Sequence, residues 1–210
     1  MNIEAIYEEA GALLKGHFLL SSGNHSGFYL QSAKVLENPK TCEKLSKALA
    51  DMIRAANIEA SLVCAPALGG VIAGYELARA LGARSIFAER ENGVMTLRRG
   101  FAVAKGQRVI VCEDIITTGG SAMETADLIE AHGGVVAAFA ALANRGFCRR
   151  EGGINADASC KLDANVPLFA LADFAFPVYA PDRCPLCAAH GKPIKPGSRP
   201  TSSAPQSEDR

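Results

Sequence analysis

The sequence predicts an α/β protein whose mostly parallel sheet is flanked by helices. Three observations carry that prediction. From Leu62 onward, short β-rich runs alternate with helical patterns at the spacing of βα repeats. Two of those runs end in glycine turns that open a helix, at Ala65–Gly70 and at Glu113–Ser121. The chain has 210 residues, 49% of them hydrophobic and 21% charged, which is enough to bury a core of one domain with a small appendage.

Taken in order, Ile3, Ile6, Ala10, Leu13 and Leu14 recur at helical spacing among Glu4, Glu8 and Glu9, which predicts an amphipathic helix ended by Gly16. His17–Ser32 holds two β-like runs, Phe18–Leu20 and Phe28–Gln31, around a Ser/Gly/Asn turn and reads as a hairpin or lid. Residues 1–36 thus form an N-terminal helix and hairpin. The α/β core follows over 37–180. Pro39 starts a helix to about Ala56 with Leu45, Leu49, Met52 and Ile53 on its apolar face. Strands are expected at Leu62–Cys64, Ser85–Ala88, Val109–Cys112, Val135–Leu142 and Leu168–Ala170, with helices over Val71–Leu81 and from the 117–121 turn to about Ala131. Glu89–Phe101 breaks the rhythm as a charged hairpin or mobile loop. From Pro181 the chain is rich in Pro, Gly and Ser, so 181–210 is expected to be a partly disordered tail.

Lys+Arg and Asp+Glu both number 22, which leaves no electrostatic footprint for nucleic acid or an anionic membrane. No apolar run approaches a membrane span. An odd count of seven scattered cysteines favours reduced thiols over a disulfide framework, and the expected setting is the cytoplasm. Cys184-Pro185-Leu186-Cys187, with His190 close by, is half of a zinc knuckle. Closed zinc sites need four ligands, and Cys160 is the only other candidate near in sequence. Either two chains share a metal or there is none; the expectation is no zinc, and a chain cut after Asp182 that still folds and turns over.

The chemistry concentrates in Arg108–His132. A hydrophobic strand meets Glu113 and Asp114, then Ile115 and Ile116, then Thr117-Thr118-Gly119-Gly120-Ser121. Inward-turned N–H groups and the positive end of the next helix suit a phosphate, while the carboxylates would repel it and instead suit a diol or a hydrated Mg²⁺. A sugar phosphate satisfies both. Neither G-x-x-x-x-G-K-[ST] nor G-x-G-x-x-G occurs in the chain. The stretch resembles the phosphoribosyl diphosphate (PRPP) loop of type I phosphoribosyltransferases. Leu14–Ser32 is similar to the N-terminal hood of the orotate phosphoribosyltransferases, and the likeness extends over roughly residues 3–150. The sequence departs from the family pattern at Gly69 and Leu14, where many members carry lysine, and in a shorter loop at 89–101.

The resemblance implies the type I fold, Mg²⁺, a homodimer, and PRPP and orotate as substrates. PRPP would be held by Glu113, Asp114, Ile115, Ile116, Thr117, Thr118, Gly119, Gly120 and Ser121, with Gly69 and Gly70 at its pyrophosphate end and Arg98 and Arg99 from the loop. Orotate would meet Thr117, Arg145, Phe28 and Tyr29; an arginine at a strand end can pair bidentately with its carboxylate. Glu113, Asp114 and Arg90 would serve catalysis, and Mg²⁺ would be held mainly by PRPP and water, with no direct protein ligand. A phosphoribosyltransferase for another base and a non-catalytic PRPP-sensing regulator are the rival readings.

Overall fold

The computed structural model describes residues 1–20, 22–152 and 157–196. They divide into two compact units, one of residues 1–14 and 30–176, the other of 15–29 and 177 onward.

The first unit is built on a six-stranded sheet. Its strands are β3 (Leu62–Pro66), β4 (Arg84–Glu91), β5 (Val94–Leu97), β6 (Arg108–Ile116), β7 (Val135–Asn144) and β8 (Leu168–Asp173). The order is β5-β4-β3-β6-β7-β8, parallel throughout except for the β4–β5 hairpin, so the Glu89–Phe101 region is largely an antiparallel hairpin. β6 shows why the sheet is covered on both faces: Ile110 and Cys112 join one apolar cluster, while Val109 and Val111 join the other. Alternate residues of a strand point to opposite faces, so an unbroken apolar run needs a cover on each.

On the first face lie α1 (Ile3–Glu9), α3 (Pro39–Ala55) and α4 (Gly70–Leu81); on the second lies α5 (Gly120–Ala131). A short α2 (Ala33–Leu36) leads into α3. At the start of α3 the Asn38 side chain accepts hydrogen bonds from the Lys40 and Thr41 N–H groups at 3.1 and 3.2 Å, and Pro39 follows it where a missing N–H costs nothing. Cys42, Leu45, Leu49 and Ile53 then form its fully buried stripe. Parallel strands bring their C-terminal ends to one edge, and the direction of winding reverses between β3 and β6. In open α/β sheets that reversal is where ligands bind.

The second unit contains a small sheet of order β1-β2-β9, with β1 at Leu13–Leu19, β2 at His25–Leu30 and β9 at Val178–Tyr179. β1 and β2 run from this unit into the first at their outer ends. The expected first helix is therefore shorter than its periodicity implies. Ala12 and Gly11 end the helical path and Leu13 and Leu14 enter a strand, because apolar residues at both helix and strand spacing are ambiguous over so short a run. The tail expected to be partly disordered from Pro181 has regular structure in its first part. A 3₁₀ turn (Pro181–Arg183) and α6 (Pro185–His190) follow β9, and Ile194 exchanges hydrogen bonds with β1, its N–H reaching His17 O at 2.8 Å and its carbonyl accepting from Leu19 N at 2.8 Å. The final TSSAPQSEDR lies outside the described residues.

Two cysteine expectations change as well. Cys148 and Cys160 are disulfide-bonded, with Cα atoms 5.0 Å apart, which leaves five free thiols. The odd count argued against a framework of bridges but not against one local pair. Cys160 is thus unavailable as a zinc ligand, yet Cys184 and Cys187 are not two ligands short: His17 and His25 lie against them in the second unit. Among the described residues no helix is long and apolar enough to cross a membrane.

Candidate active site

β6 delivers the two carboxylates. Glu113 and Asp114 are both partly buried and follow the core residues 109–112 of the strand, and neither carries an ion pair among the described residues. Burial, reinforced by the neighbouring Asp114 charge, pushes the Glu113 carboxyl up to about 8. Asp114 is also raised by burial, partly offset by the backbone N–H groups of Ile115 and of Asp114 itself. A positive neighbour would favour the ionised form of both carboxyls.

Ile115 and Ile116 could meet PRPP through their backbone only. Their side chains pack into the two core clusters, so only backbone is left to meet a ligand, and Ile116 O already accepts from Arg145 N at 2.8 Å. The turn that follows is held in a cup. Gly119 has φ +79°, and a Cβ there would stand 2.5 Å from Leu162 Cδ2, so both conformation and space call for glycine. No side chain caps the first turn of α5. Its leading N–H groups remain donors for an anion at the positive end of the helix. Thr117 is exposed, and Thr118 and Ser121 are partly so.

The β3–α4 turn faces this strand end. A Cβ on Gly69 would lie 2.9 Å from Asp114 Oδ1, and one on Gly70 would lie 2.9 Å from Cys112 O. A side chain at Gly70 would press on the strand backbone, whereas one at Gly69 would displace the Asp114 carboxylate. The structure thus brings Gly69, Gly70, Glu113, Asp114 and the 117–121 cup together.

Arg145 follows β7 and is only 6% exposed. Its Nε and Nη2 are buried without a hydrogen-bond partner among the described residues, and its guanidinium lies over the Phe176 ring, 4.9 Å from the centroid. Burial lowers its pKa from the ordinary arginine value. The turn that carries it is fixed by neighbours. Asn144 Nδ2 donates to Cys148 O at 2.7 Å and to Asp173 Oδ1 at 2.8 Å, and Arg150 Nε donates to Asp173 Oδ2 at 2.7 Å.

The loop cations do not join this group. Arg90 pairs with Glu124 at 2.6 Å; Arg99 makes a bidentate pair with Glu89 at 3.1 Å and stacks on Phe87; Arg98 is 3.5 Å from Glu91. All three are exposed on or beside the β4–β5 hairpin. Phe28 and Tyr29 belong to the second unit, where Tyr29 packs on Phe18 with ring centroids 5.9 Å apart.

Sequence reasoning missed Asn144, Asp173, Arg150 and Lys161. The last lies beside the cup: Lys161 N donates to Thr118 O at 2.7 Å, and its Nζ stands 4.0 Å from where a Gly120 Cβ would be. Asp173, a carboxylate at the end of the last strand, carried a usable signal. Lys161 carried none.

A winding reversal with an anion cup, an acidic strand end and an unpaired buried guanidinium defines a sugar-phosphate-handling α/β protein. Residues 31–163 match the phosphoribosyl transferase domain family. The chain is 65% identical to the orotate phosphoribosyltransferase of Nitratiruptor sp. over 200 residues, covering 95% of this chain and 99% of that one. It is 63% identical over 200 residues to the orotate phosphoribosyltransferase of Wolinella succinogenes, covering 95% and 98%. The fold is shared with the crystal structure of orotate phosphoribosyltransferase from Aeropyrum pernix, with a TM-score of 0.66 and 23% identity over 82% of this chain and 93% of that one. The chain belongs to the orotate phosphoribosyltransferase family, within the phosphoribosyl transferase domain proteins.

Proposed function

We propose that this chain transfers ribose 5-phosphate from PRPP to orotate, giving orotidine 5′-monophosphate and pyrophosphate in de novo UMP synthesis. The observation that carries the choice of base is Arg145. A guanidinium buried with two N–H groups unpaired is costly, and a planar carboxylate is the partner that would satisfy it. Orotate has that carboxylate; uracil and the purines do not.

Residues 117–121 grip the 5′-phosphate, which does not react. Glu113 and Asp114 meet the ribose hydroxyls. As the bond from C1 to pyrophosphate breaks, the ring gains positive charge, and the partly buried Glu113 and Asp114 stabilise that charge electrostatically. Gly69 and Gly70 leave room for the leaving diphosphate beside Asp114. Arg90, Arg98 or Arg99 would reach it only by exchanging their present acidic partners, a further element of the proposal. Two partly buried carboxylates at one strand end are a fitting donor set for a hydrated divalent cation, so Glu113 and Asp114 would face Mg²⁺ through water. When bound, Mg²⁺ neutralises the diphosphate. A cytoplasmic homodimer completes the reading, on the strength of the family resemblance.

The test is turnover of orotate with PRPP and Mg²⁺, with uracil as control. Formation of orotidine 5′-monophosphate supports the assignment; comparable kcat/KM for uracil overturns it.

A further inference from the structure

The second unit holds four groups for which the transferase reading has no use. His17 and His25, on β1 and β2, lie with Cys184 and Cys187, which open and line α6. Their nearest ligand atoms all fall within 4.8 Å of one another. His17 Nε2 is 3.1 Å from His25 Nδ1, 3.6 Å from Cys184 Sγ and 3.8 Å from Cys187 Sγ, and Cys187 Sγ is 3.3 Å from His25 Nδ1. A regular tetrahedron with zinc bonds of about 2.3 Å to sulfur and about 2.05 Å to nitrogen has edges of about 3.3 Å (N–N), about 3.6 Å (N–S) and about 3.8 Å (S–S). These four edges fall within a few tenths of an ångström of the ideal values, and the other two, both to Cys184 Sγ, are no longer than 4.8 Å.

Two further facts favour a metal over a hydrogen-bonded cluster. The histidines are only 5% and 7% exposed, Cys184 is buried, and among the described residues no carboxylate joins the group. Finally, the buried apolar side chains among this unit's described residues are Phe18 and Cys184. So small a body lacks a core of its own and needs a staple.

We propose that His17 Nε2, His25 Nδ1, Cys184 Sγ and Cys187 Sγ form a closed tetrahedral structural site for Zn²⁺ that ties the β1–β2 hairpin to the 3₁₀–α6 segment. Two thiol protons leave to solvent as two Zn–S bonds form, and the two imidazoles add neutral donors. The resulting centre carries no net charge, which suits burial. Two soft thiolates with two imidazoles select zinc over magnesium or calcium. All four positions belong to the protein, so the ion has no open site for catalysis.

The experiment is metal analysis of the full chain, prepared without a histidine tag and under reducing conditions, after removal of loosely held ions by gel filtration. Zinc at about one per chain is expected. Cobalt exchanged into the protein should give the intense visible bands and sulfur-to-metal charge transfer of a tetrahedral thiolate site. Cys187→Ser and His25→Ala should reduce zinc to background. Should those variants fail to fold, titration of the unmodified chain with a chelator decides the matter. Release of zinc should then expose residues 177–196 to protease. A chain that takes up no zinc or cobalt when reconstituted under reducing conditions, or one that keeps its zinc in the Cys184→Ser, Cys187→Ser double variant, overturns the proposal, as does a Cys184–Cys187 disulfide in freshly prepared protein. None of these readouts depends on the identity of the base.

Discussion

Replacing Arg145 by methionine should stabilise the free protein while it removes recognition of the base. The side chain is buried with Nε and Nη2 unpaired, and each unsatisfied buried donor costs about 1–3 kcal/mol. Methionine keeps much of the apolar stem and deletes those donors. It also deletes the stacking of the guanidinium on Phe176, worth about 0.5–2 kcal/mol. The balance favours the variant by about 1–3 kcal/mol, or very roughly 2–10 °C in Tm for a chain of this size. In the assay, urea and thermal unfolding of both proteins without ligand give the stability difference, and steady-state kinetics give the functional one. The orotate kcat/KM should fall by roughly 10³-fold or more, because a site built to pair a carboxylate has lost its partner. Orotate should raise the Tm of the parent protein in the presence of PRPP but not that of the variant. A variant less stable than its parent by more than about 1 kcal/mol would mean that Arg145 has a structural partner and is not held in wait for a ligand. An unchanged orotate KM would remove it from the site altogether.

Three other outcomes follow from the cup and the acidic pair. Glu113→Gln should be increasingly more stable than its parent as pH rises. The folded carboxyl sits near 8, above its unfolded value, so its stabilising neutral form is complete below about pH 4.3 and is lost as pH climbs through 8. The gap in unfolding free energy between about pH 5 and pH 8.5 should be about 1–3 kcal/mol after allowance for partial exposure, and a constant gap in urea titrations would refute the assignment. Asp114→Asn keeps the shape and removes the charge, so kcat should drop by roughly 10–10³-fold with a smaller change in the PRPP KM; a pure KM effect would make the acidic pair a binding device only. Gly119→Val forces a branched side chain onto a residue at φ +79° and into Leu162, so PRPP affinity should fall steeply, measured by calorimetry, while unaltered affinity would exclude the cup as the phosphate site.

The elements that were legible in the sequence are those whose signal is local. Pro39 after a capping Asn38, the β-rich runs at 62 and 109, and the Gly-Gly turns each point to a structure that their own residues enforce, and those elements are present. Arg145 was readable as a strand-end arginine, although its burial and missing partners were not. What stayed hidden depends on pairing across the chain. Cys148 meets Cys160 because the Phe147 carbonyl accepts from Asp157 N at 2.7 Å, and nothing in either short stretch announces that contact. Nothing in the 17–32 stretch marks His17 or His25 as a partner of a distant cysteine. Their relation to Cys184-x-x-Cys187 follows from strand pairing of β2 with β9, in which His25 stands opposite Tyr179. The loop arginines carry no sequence signal of their ion pairing, yet acidic residues at 89, 91 and 124 hold them in this state.

The discontinuous make-up of the second unit has a consequence for how the molecule is made. His17 and Cys184 stand 167 residues apart in sequence, with the whole of the six-stranded sheet encoded between them. At a synthesis rate of about 5–20 residues per second, the hairpin therefore leaves the ribosome roughly 8–30 seconds before its remaining partners exist. The central sheet has time to form first, from contacts that are already complete, whereas the hairpin must wait with two histidines and a bare strand edge exposed. Its closure comes after all six strands of that sheet have been made, and a nascent chain stalled or truncated shortly before Cys184 would carry a complete set of sheet strands and an unfinished hairpin.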